Sequence, residues 1–291
     1  MLHPRRAQAA GDLLEYRIAR FTFRVDADLD ELVGAERAVD LGENRIAEAG
    51  GADRDDRVEG MGARLERTSI GGADLWHGAM MAGRVRGGKR WIDEHIADQF
   101  VQRARAEGYR SRAAYKLIEI DERDRLLVRA RVIVDLGAAP GSWTEVAAKR
   151  AAKDATIVAL DLLPIAPLAG VTVIQGDFSD TAVLENLVAA LAGRAVDLVL
   201  SDLAPNLSGI AVTDQARGMA LAELALEFAR TQLKPGGTLL VKAFQGAGFG
   251  EFLALMRRSF ERVGSRKPDA SRDRSREIYL LGTGFRRSGA P

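Results

Sequence analysis

The sequence predicts a doubly wound α/β fold, and three of its features carry the prediction. Apolar, β-branched runs alternate with helix-period segments from residue 132 onward, the pattern of strands crossed over by helices. Residues 131–136 (RVIVDL) are apolar enough for a central parallel strand, and the chain then turns through Gly137 and Gly141 into a helical pattern starting at Trp143. Lys234-Pro235-Gly236-Gly237 stops the longest helical stretch and releases the next strand.

The elements follow in order. Trp91, Ile92, Ile96, Phe100 and Val101 at near-helical spacing predict a helix over 91–107, with Gly108 as its stop. Ser111 suits the N-cap of a second helix over 113–124, which sets Tyr115, Leu117 and Ile118 on an apolar side and leaves Lys116 to point elsewhere. Strands are expected at 132–136, 156–160, 171–175, 196–201 and 237–242, with a closing pair near 262–267 and 277–282. Helices fill the gaps at 144–150, 181–191, 213–233 and 249–259.

The 291 residues are 47% hydrophobic, with 30 Gly, 8 Pro and no Cys. Such a chain suits one globular domain of about 200 residues with an appendage. Lack of cysteine excludes disulfides and thiolate metal sites, and His3, His77 and His95 are too scattered for a zinc centre. No apolar run approaches the roughly 20 residues that span a bilayer. The opening residues show no signal-peptide pattern, so a cytoplasmic location with no membrane partner is expected.

A net charge of +1 conceals a split: −5 over residues 1–83, +5 over 84–131, −5 over 132–256 and +6 over 257–291. Positive charge thus flanks the central segment on both sides, and such clusters attract a phosphate backbone as readily as they make a solvated face. Residues 1–83 contain no lysine and are punctuated by Gly50-Gly51, Gly71-Gly72 and the run Asp53-Arg54-Asp55-Asp56-Arg57. No core pattern emerges there. A poorly ordered extension or the product of an upstream start is expected, with Met80 or Met81 as the natural beginning and 84–291 as the working domain.

The turn after residue 136 is where a nucleotide-like ligand is expected, because glycines let the backbone approach it and the helix aims N–H groups at it. It is neither the Gly-x-Gly-x-x-Gly dinucleotide fingerprint nor a phosphate loop ending in Gly-Lys-Ser/Thr. S-adenosylmethionine fits the turn better than a nicotinamide or triphosphate cofactor. Ligands of open parallel sheets lie beyond the carboxyl ends of the strands. Asp161, Asp177 and Asp202 each follow such an end, with Phe178 beside Asp177 as an expected apolar wall.

Asp135-Leu136-Gly137-Ala138-Ala139-Pro140-Gly141-Ser142-Trp143, Asp161-Leu162-Leu163-Pro164, Gln175-Gly176-Asp177-Phe178 and Ser201-Asp202-Leu203-Ala204-Pro205-Asn206 resemble the successive motifs of the FtsJ-type RNA 2′-O-ribose methyltransferases. Within that family the resemblance is strongest to the group acting on large-subunit ribosomal RNA, and it runs from about residue 90 to about 285. Ser142 departs from the family, which usually has a second glycine there. The resemblance implies a mostly parallel seven-stranded sheet of the S-adenosylmethionine-dependent methyltransferase type, with an antiparallel edge. It also implies that Gly141, Trp143, Asp161, Asp177 and Asp202 bind S-adenosylmethionine, and that Lys116, Asp202, Lys242 and Glu277 form a Lys-Asp-Lys-Glu catalytic tetrad.

The chemistry gives each tetrad member a reason. A ribose hydroxyl is a weak nucleophile, so a base must take its proton as the bond to carbon forms. Lysine serves when desolvation or a nearby cation favours its neutral form. Lys242 is expected as that base, Asp202 as its orienter, Lys116 as the group that steers the ribose or its phosphate, and Glu277 as the holder of the lysines. No metal is expected. The acceptor is expected to be RNA, the nucleic acid that offers a 2′-hydroxyl, with no role for DNA. Arg110, Arg112, Arg272, Arg274, Arg276 and Arg266-Lys267 are expected around the mouth. The resemblance further implies a uridine in the A-loop of 23S rRNA, reached on the large ribosomal subunit by a monomer. Ribose methylation of tRNA or an mRNA cap, and a non-catalytic RNA-binding assembly factor, remain as alternatives.

Overall fold

The computed structural model describes residues 98–272 and 275–287. The expected extension over 1–83, the proposed starts at Met80 or Met81, the 91–97 part of the first helix and Arg274 lie outside the described residues.

Helix α1 (Gln99–Glu107) opens on Asp98, whose carboxylate accepts from the Phe100 amide at 3.0 Å, and stops at Gly108 in the left-handed region. An extended Asp98 in the cap position makes residue 99 the first of α1, where apolar spacing alone predicted a start at 91. Helix α2 (Ala113–Asp124) follows after a short turn, and Ser111 Oγ accepts from the Ala113 amide at 3.2 Å. A 3₁₀ turn at Leu127–Arg129 leads into the sheet.

The rest alternates: β1 (Val132–Leu136), α3 (Ser142–Arg150), β2 (Thr156–Asp161), β3 (Val171–Gln175), α4 (Thr181–Ala190), β4 (Val196–Ser201), α5 (Ala211–Gln232), β5 (Leu233–Phe244), α6 (Phe249–Ser259), β6 (Phe260–Arg266) and β7 (Glu277–Phe285). The seven strands take the order β3-β2-β1-β4-β5-β7-β6. Neighbours are parallel from β3 to β5, and β7 runs antiparallel between β5 and β6. This is the doubly wound, mostly parallel α/β sheet the sequence predicts. Strand β5 is longer than expected because Leu233 already pairs with Val196, and the Pro235-Gly236 stretch is absorbed as an irregularity before Thr238 meets Leu198.

Two apolar layers hold the sheet. Tyr115 and Leu117 of α2 and Trp143 and Val146 of α3 pack on Ile133, Leu198, Leu240 and Leu281. Leu184, Leu187, Phe228, Phe252 and Met256, from α4, α5 and α6, cover Val134, Val199, Leu239, Val241 and Leu280 on the other face. Removing each such side chain from water contributes about 1.5–3 kcal/mol, which is why central strands of this kind read as mostly apolar runs, interrupted here by Asp135 in β1 and Asp197 in β4.

The register sets up the site. Leu136 pairs with Leu160 and with Ser201, and Ser201 pairs with Val241. Gly137, Asp161, Asp202 and Lys242 therefore emerge at one level, each a single residue further along its strand or the turn beyond. The ladder continues into the turns: the amides of Gly137 and Asp202 donate to Leu160 O at 2.9 Å and Leu136 O at 3.0 Å. Strand order reverses direction between β1 and β4, so this level is also the switch point of the sheet.

Candidate active site

Asp202 leaves β4 beside Lys242 of β5. Lys242 is 6% exposed, and its Nζ donates to the Asp202 backbone oxygen at 2.6 Å and lies 3.0 Å from Asp202 Oδ1. A buried ammonium without acceptors is costly, and here one residue supplies both. Lys116 reaches in from α2, a different element. Its Nζ pairs with Glu277 Oε1 at 2.7 Å and donates to the Tyr279 hydroxyl at 3.2 Å. Tyr279 donates in turn to Asp202 Oδ1 at 2.7 Å.

The structure thus brings all four expected residues, Lys116, Asp202, Lys242 and Glu277, into one network, and Tyr279 joins its two ion pairs. Sequence reasoning missed Tyr279. The signal was present as strand alternation: Glu277 and Tyr279 share a face of β7, and Tyr279 pairs with Lys242 across β5. Ser271, also missed, donates to Glu277 Oε1 at 2.9 Å.

The electrostatics agree with the geometry. Burial alone would raise the Asp202 carboxyl, but the charges of Lys242 and Lys116 and the Tyr279 and Lys242 hydrogen bonds outweigh it and hold Asp202 below its ordinary range. Burial, reinforced by the neighbouring Asp202 and Glu277, pushes the Tyr279 phenol well above its ordinary value. Near neutral pH the pair is therefore a neutral donor on a carboxylate.

The residues expected to bind the donor lie in the adjoining turn and after the neighbouring strand ends. Asp161 accepts from the Ala139 amide and from the Leu163 amide, both at 2.8 Å, and so ties the glycine turn to the loop after β2. Gly141 has φ 102°, and a Cβ there would fall 2.5 Å from Arg110 Nη1. Asp177 is exposed and accepts from the Ser179 amide at 2.8 Å and hydroxyl at 2.7 Å. Trp143 is 2% exposed, its indole N–H donates to Ala113 O at 2.8 Å, and its ring lies 5.4 Å from that of Tyr279. Its side chain belongs to the core, while its main-chain amide lies in the first turn of α3, outside the intrahelical ladder.

Phe178 corrects an expectation. It does not wall the pocket, because it is 4% exposed in the core, with its ring edge-on to Phe228 at 5.7 Å. The basic cluster is also corrected in part. Arg110 donates to three backbone carbonyls, Arg112 pairs with Asp98 and donates to Ala270 O, and Arg266 grips Asp124 through two bonds of 2.7 Å. These cations serve the protein's own acceptors. Arg272 and Arg276, beside Glu277, are exposed.

One further residue bears on the donor. Asp135 is fully buried at the end of β1, and its Oδ2 accepts from Thr144 Oγ1 at 2.6 Å. Its Oδ1 has no hydrogen-bond partner among the described residues. A buried, unpartnered carboxylate oxygen below a turn ringed by Asp161 and Asp202 fits a ligand that carries positive charge. Among the described residues no cluster of metal-ligating side chains occurs and no helix is long and apolar enough to cross a membrane.

Comparison with known proteins shows the family. Ribosomal RNA large subunit methyltransferase E of Azoarcus sp. (strain BH72) is 61% identical over 203 residues, which cover 70% of this chain and 99% of that protein. The protein of the same name from Methylobacillus flagellatus is 56% identical over 194 residues, 67% of this chain and 94% of its own. A crystal structure of a Plasmodium falciparum protein assigned as a ribosomal RNA methyltransferase matches with a TM-score of 0.55 and 31% identity, covering 61% of this chain and 98% of its own. The FtsJ-like methyltransferase family matches residues 109–285, and the chain belongs to that family.

Proposed function

We propose that this protein transfers a methyl group from S-adenosylmethionine to the 2′-hydroxyl of a uridine ribose in the A-loop of 23S rRNA, acting in the cytoplasm as a monomer on the large ribosomal subunit. The observation that carries this reading is the network Lys242–Asp202–Tyr279–Lys116–Glu277, set at the same sheet level as the glycine turn. The names of the relatives support the substrate class.

The donor, when bound, supplies an electrophilic methyl on a sulfonium. The chain's residues supply the rest. The Trp143 main-chain amide and the side-chain-free Gly141, whose own amide donates to Ala138 O at 2.6 Å, line the turn. Asp161 and Asp177 offer carboxylates for ribose hydroxyls and the adenine amino group, and Asp202 places negative charge toward the cation. Lys242 Nζ, once it has released a proton to solvent, accepts the proton of the 2′-hydroxyl as the oxygen–carbon bond forms and the sulfur–carbon bond breaks, and Asp202 fixes where Nζ sits. Lys116 steers the ribose or its phosphate, and Glu277 and Tyr279 hold Lys116. Alignment of acceptor and donor contributes more of the acceleration than proton removal does.

Residues 84–291 are the working domain in this reading, and 1–83 an appendage, since the Azoarcus relative is matched over 99% of its length by 203 residues of this chain.

The test is mass mapping of ribose methylation on 23S rRNA from cells that lack the protein, with rates on unmodified large subunits and on protein-free rRNA measured in parallel. One missing 2′-O-methyluridine and a much faster rate on subunits are expected. An unchanged map, equal rates, or a preference for tRNA overturns the substrate assignment.

A further inference from the structure

Arg110 lies in the turn between α1 and α2, where the sequence placed it among phosphate readers, yet its guanidinium is committed elsewhere. Nη1 donates to Pro140 O at 2.9 Å and to Ala166 O at 2.8 Å, and Nη2 donates to Pro167 O at 3.2 Å. Pro140 belongs to the glycine turn after β1. Ala166 and Pro167 belong to the loop after β2. Its backbone amide, besides, donates to Glu145 Oε2 in α3 at 3.3 Å.

Gly141 is shaped to admit this side chain. A Cβ there would stand 2.5 Å from Arg110 Nη1 and 3.1 Å from Ile165 Cγ2, so the guanidinium fills the space that the missing side chain leaves. The neighbouring residue repeats the stitch: the Ser111 and Ser142 hydroxyls are 2.7 Å apart, with Ser142 buried at 2% exposure.

The glycine turn after β1 and the loop after β2 are each held twice. Asp161 joins the Ala139 and Leu163 amides from within. Arg110 joins the Pro140, Ala166 and Pro167 carbonyls from the other side. A planar guanidinium can serve several carbonyls at fixed angles, whereas a lysine ammonium on a flexible stem cannot reproduce that fork.

We infer that Arg110 is a positioning residue for the methyl donor, closing the loops after β1 and β2 into one wall, and that it is not a reader of RNA phosphate. The inference rests on the proposal that the donor binds at this turn. It also makes the α1–α2 turn a structural link between the donor loops and Lys116, which lies in the first turn of α2.

The experiment is calorimetric titration of S-adenosylmethionine into the full chain and its Arg110→Ala, Arg110→Lys and Arg272→Ala variants without RNA, paired with large-subunit affinity over a salt series. Arg110→Ala is expected to weaken donor binding about tenfold or more, a cost of about 1.4 kcal/mol or above. Its salt slope for the subunit should stay that of the wild type, and KM for the donor should rise by more than kcat falls. Arg110→Lys should recover only part of the affinity. Arg272→Ala should show the reverse pattern, a shallower salt slope with donor affinity kept.

Wild-type donor affinity in both Arg110 variants, or a salt slope reduced by about the 0.7–0.9 of one phosphate contact, overturns the inference. Should Arg110→Ala fail to fold, the lysine variant carries the same decision. A wild-type chain that binds no S-adenosylmethionine sinks instead the proposed function.

Discussion

Lys242 and Tyr279 stand opposite each other on β5 and β7 and share one acceptor, Asp202 Oδ1, at 3.0 and 2.7 Å. The ammonium and the phenol thus fix the carboxylate from two strands. Tyr279→Phe removes one of these anchors, and a buried hydrogen bond to a charged group is worth about 1.5–3 kcal/mol. A lower melting temperature and methyl transfer slowed about tenfold are expected, with donor affinity within about twofold of wild type by calorimetry. Donor affinity falling in step with the rate would move Tyr279 to the donor side.

Lys242→Met keeps the volume and removes the proton acceptor. Transfer should slow at least about a hundredfold, the scale of general-base loss, while the donor still binds. Asp161→Ala frees the Ala139 and Leu163 amides and should reverse the pattern, weakening donor binding most. Single-turnover rates on large subunits, read beside calorimetry, separate the two roles; comparable activity in Lys242→Met removes the lysine from its role.

Asp135 makes stability depend on pH. Burial pushes its carboxyl up to about 7, opposed by the Thr144 hydrogen bond and assisted by the charges of Asp202 and Asp161. A raised folded-state value means that the folded chain binds the proton more tightly than the unfolded chain does. The resulting stabilisation is complete below the unfolded carboxyl range, about 3.9, and is lost as pH climbs through about 7. Melting temperatures of the donor-free protein should therefore fall as the pH is raised from about 6 to about 8.5, and Asp135→Asn, which keeps an acceptor for Thr144, should flatten that fall. Parallel curves for variant and wild type would show that Asp135 is not the source.

Deleting residues 1–80 removes none of the named site residues. Melting temperature should change by no more than about 2 °C, and transfer to large subunits should hold. A large loss of either would give the segment a structural role.

Most of the fold was legible because a central parallel strand is buried on both faces and must read as an apolar run, as 132–136 and 196–201 do. The strand-end carboxylates and the Lys-Asp-Lys-Glu set were legible because strand ends are local features and the motifs resemble a known family. Tyr279 was not, since its partner Lys116 lies 163 residues away and the meeting depends on the β5–β7 register. Arg110 and Arg112 were misjudged for a related physical reason. A cation's sequence neighbours say nothing of the backbone carbonyls that the fold will bring to it, and those of Pro140, Ala166, Pro167 and Ala270 arrive from distant loops.

The antiparallel placement of β7 has a consequence for how the enzyme comes into being. Glu277 and Tyr279 lie near the end of the chain, and without them Lys116 lacks both partners and the buried Asp202 keeps Lys242 alone. During synthesis every strand from β1 to β6 leaves the ribosome before β7 does, so this network cannot close on a nascent chain until β7 has emerged and inserted between two strands already made. Products of premature termination would carry the glycine turn and Lys242 yet lack Glu277 and Tyr279, which complete the network. The order of the strands along the chain thereby makes closure of this network wait on β7, whose two neighbours in the sheet are both made before it.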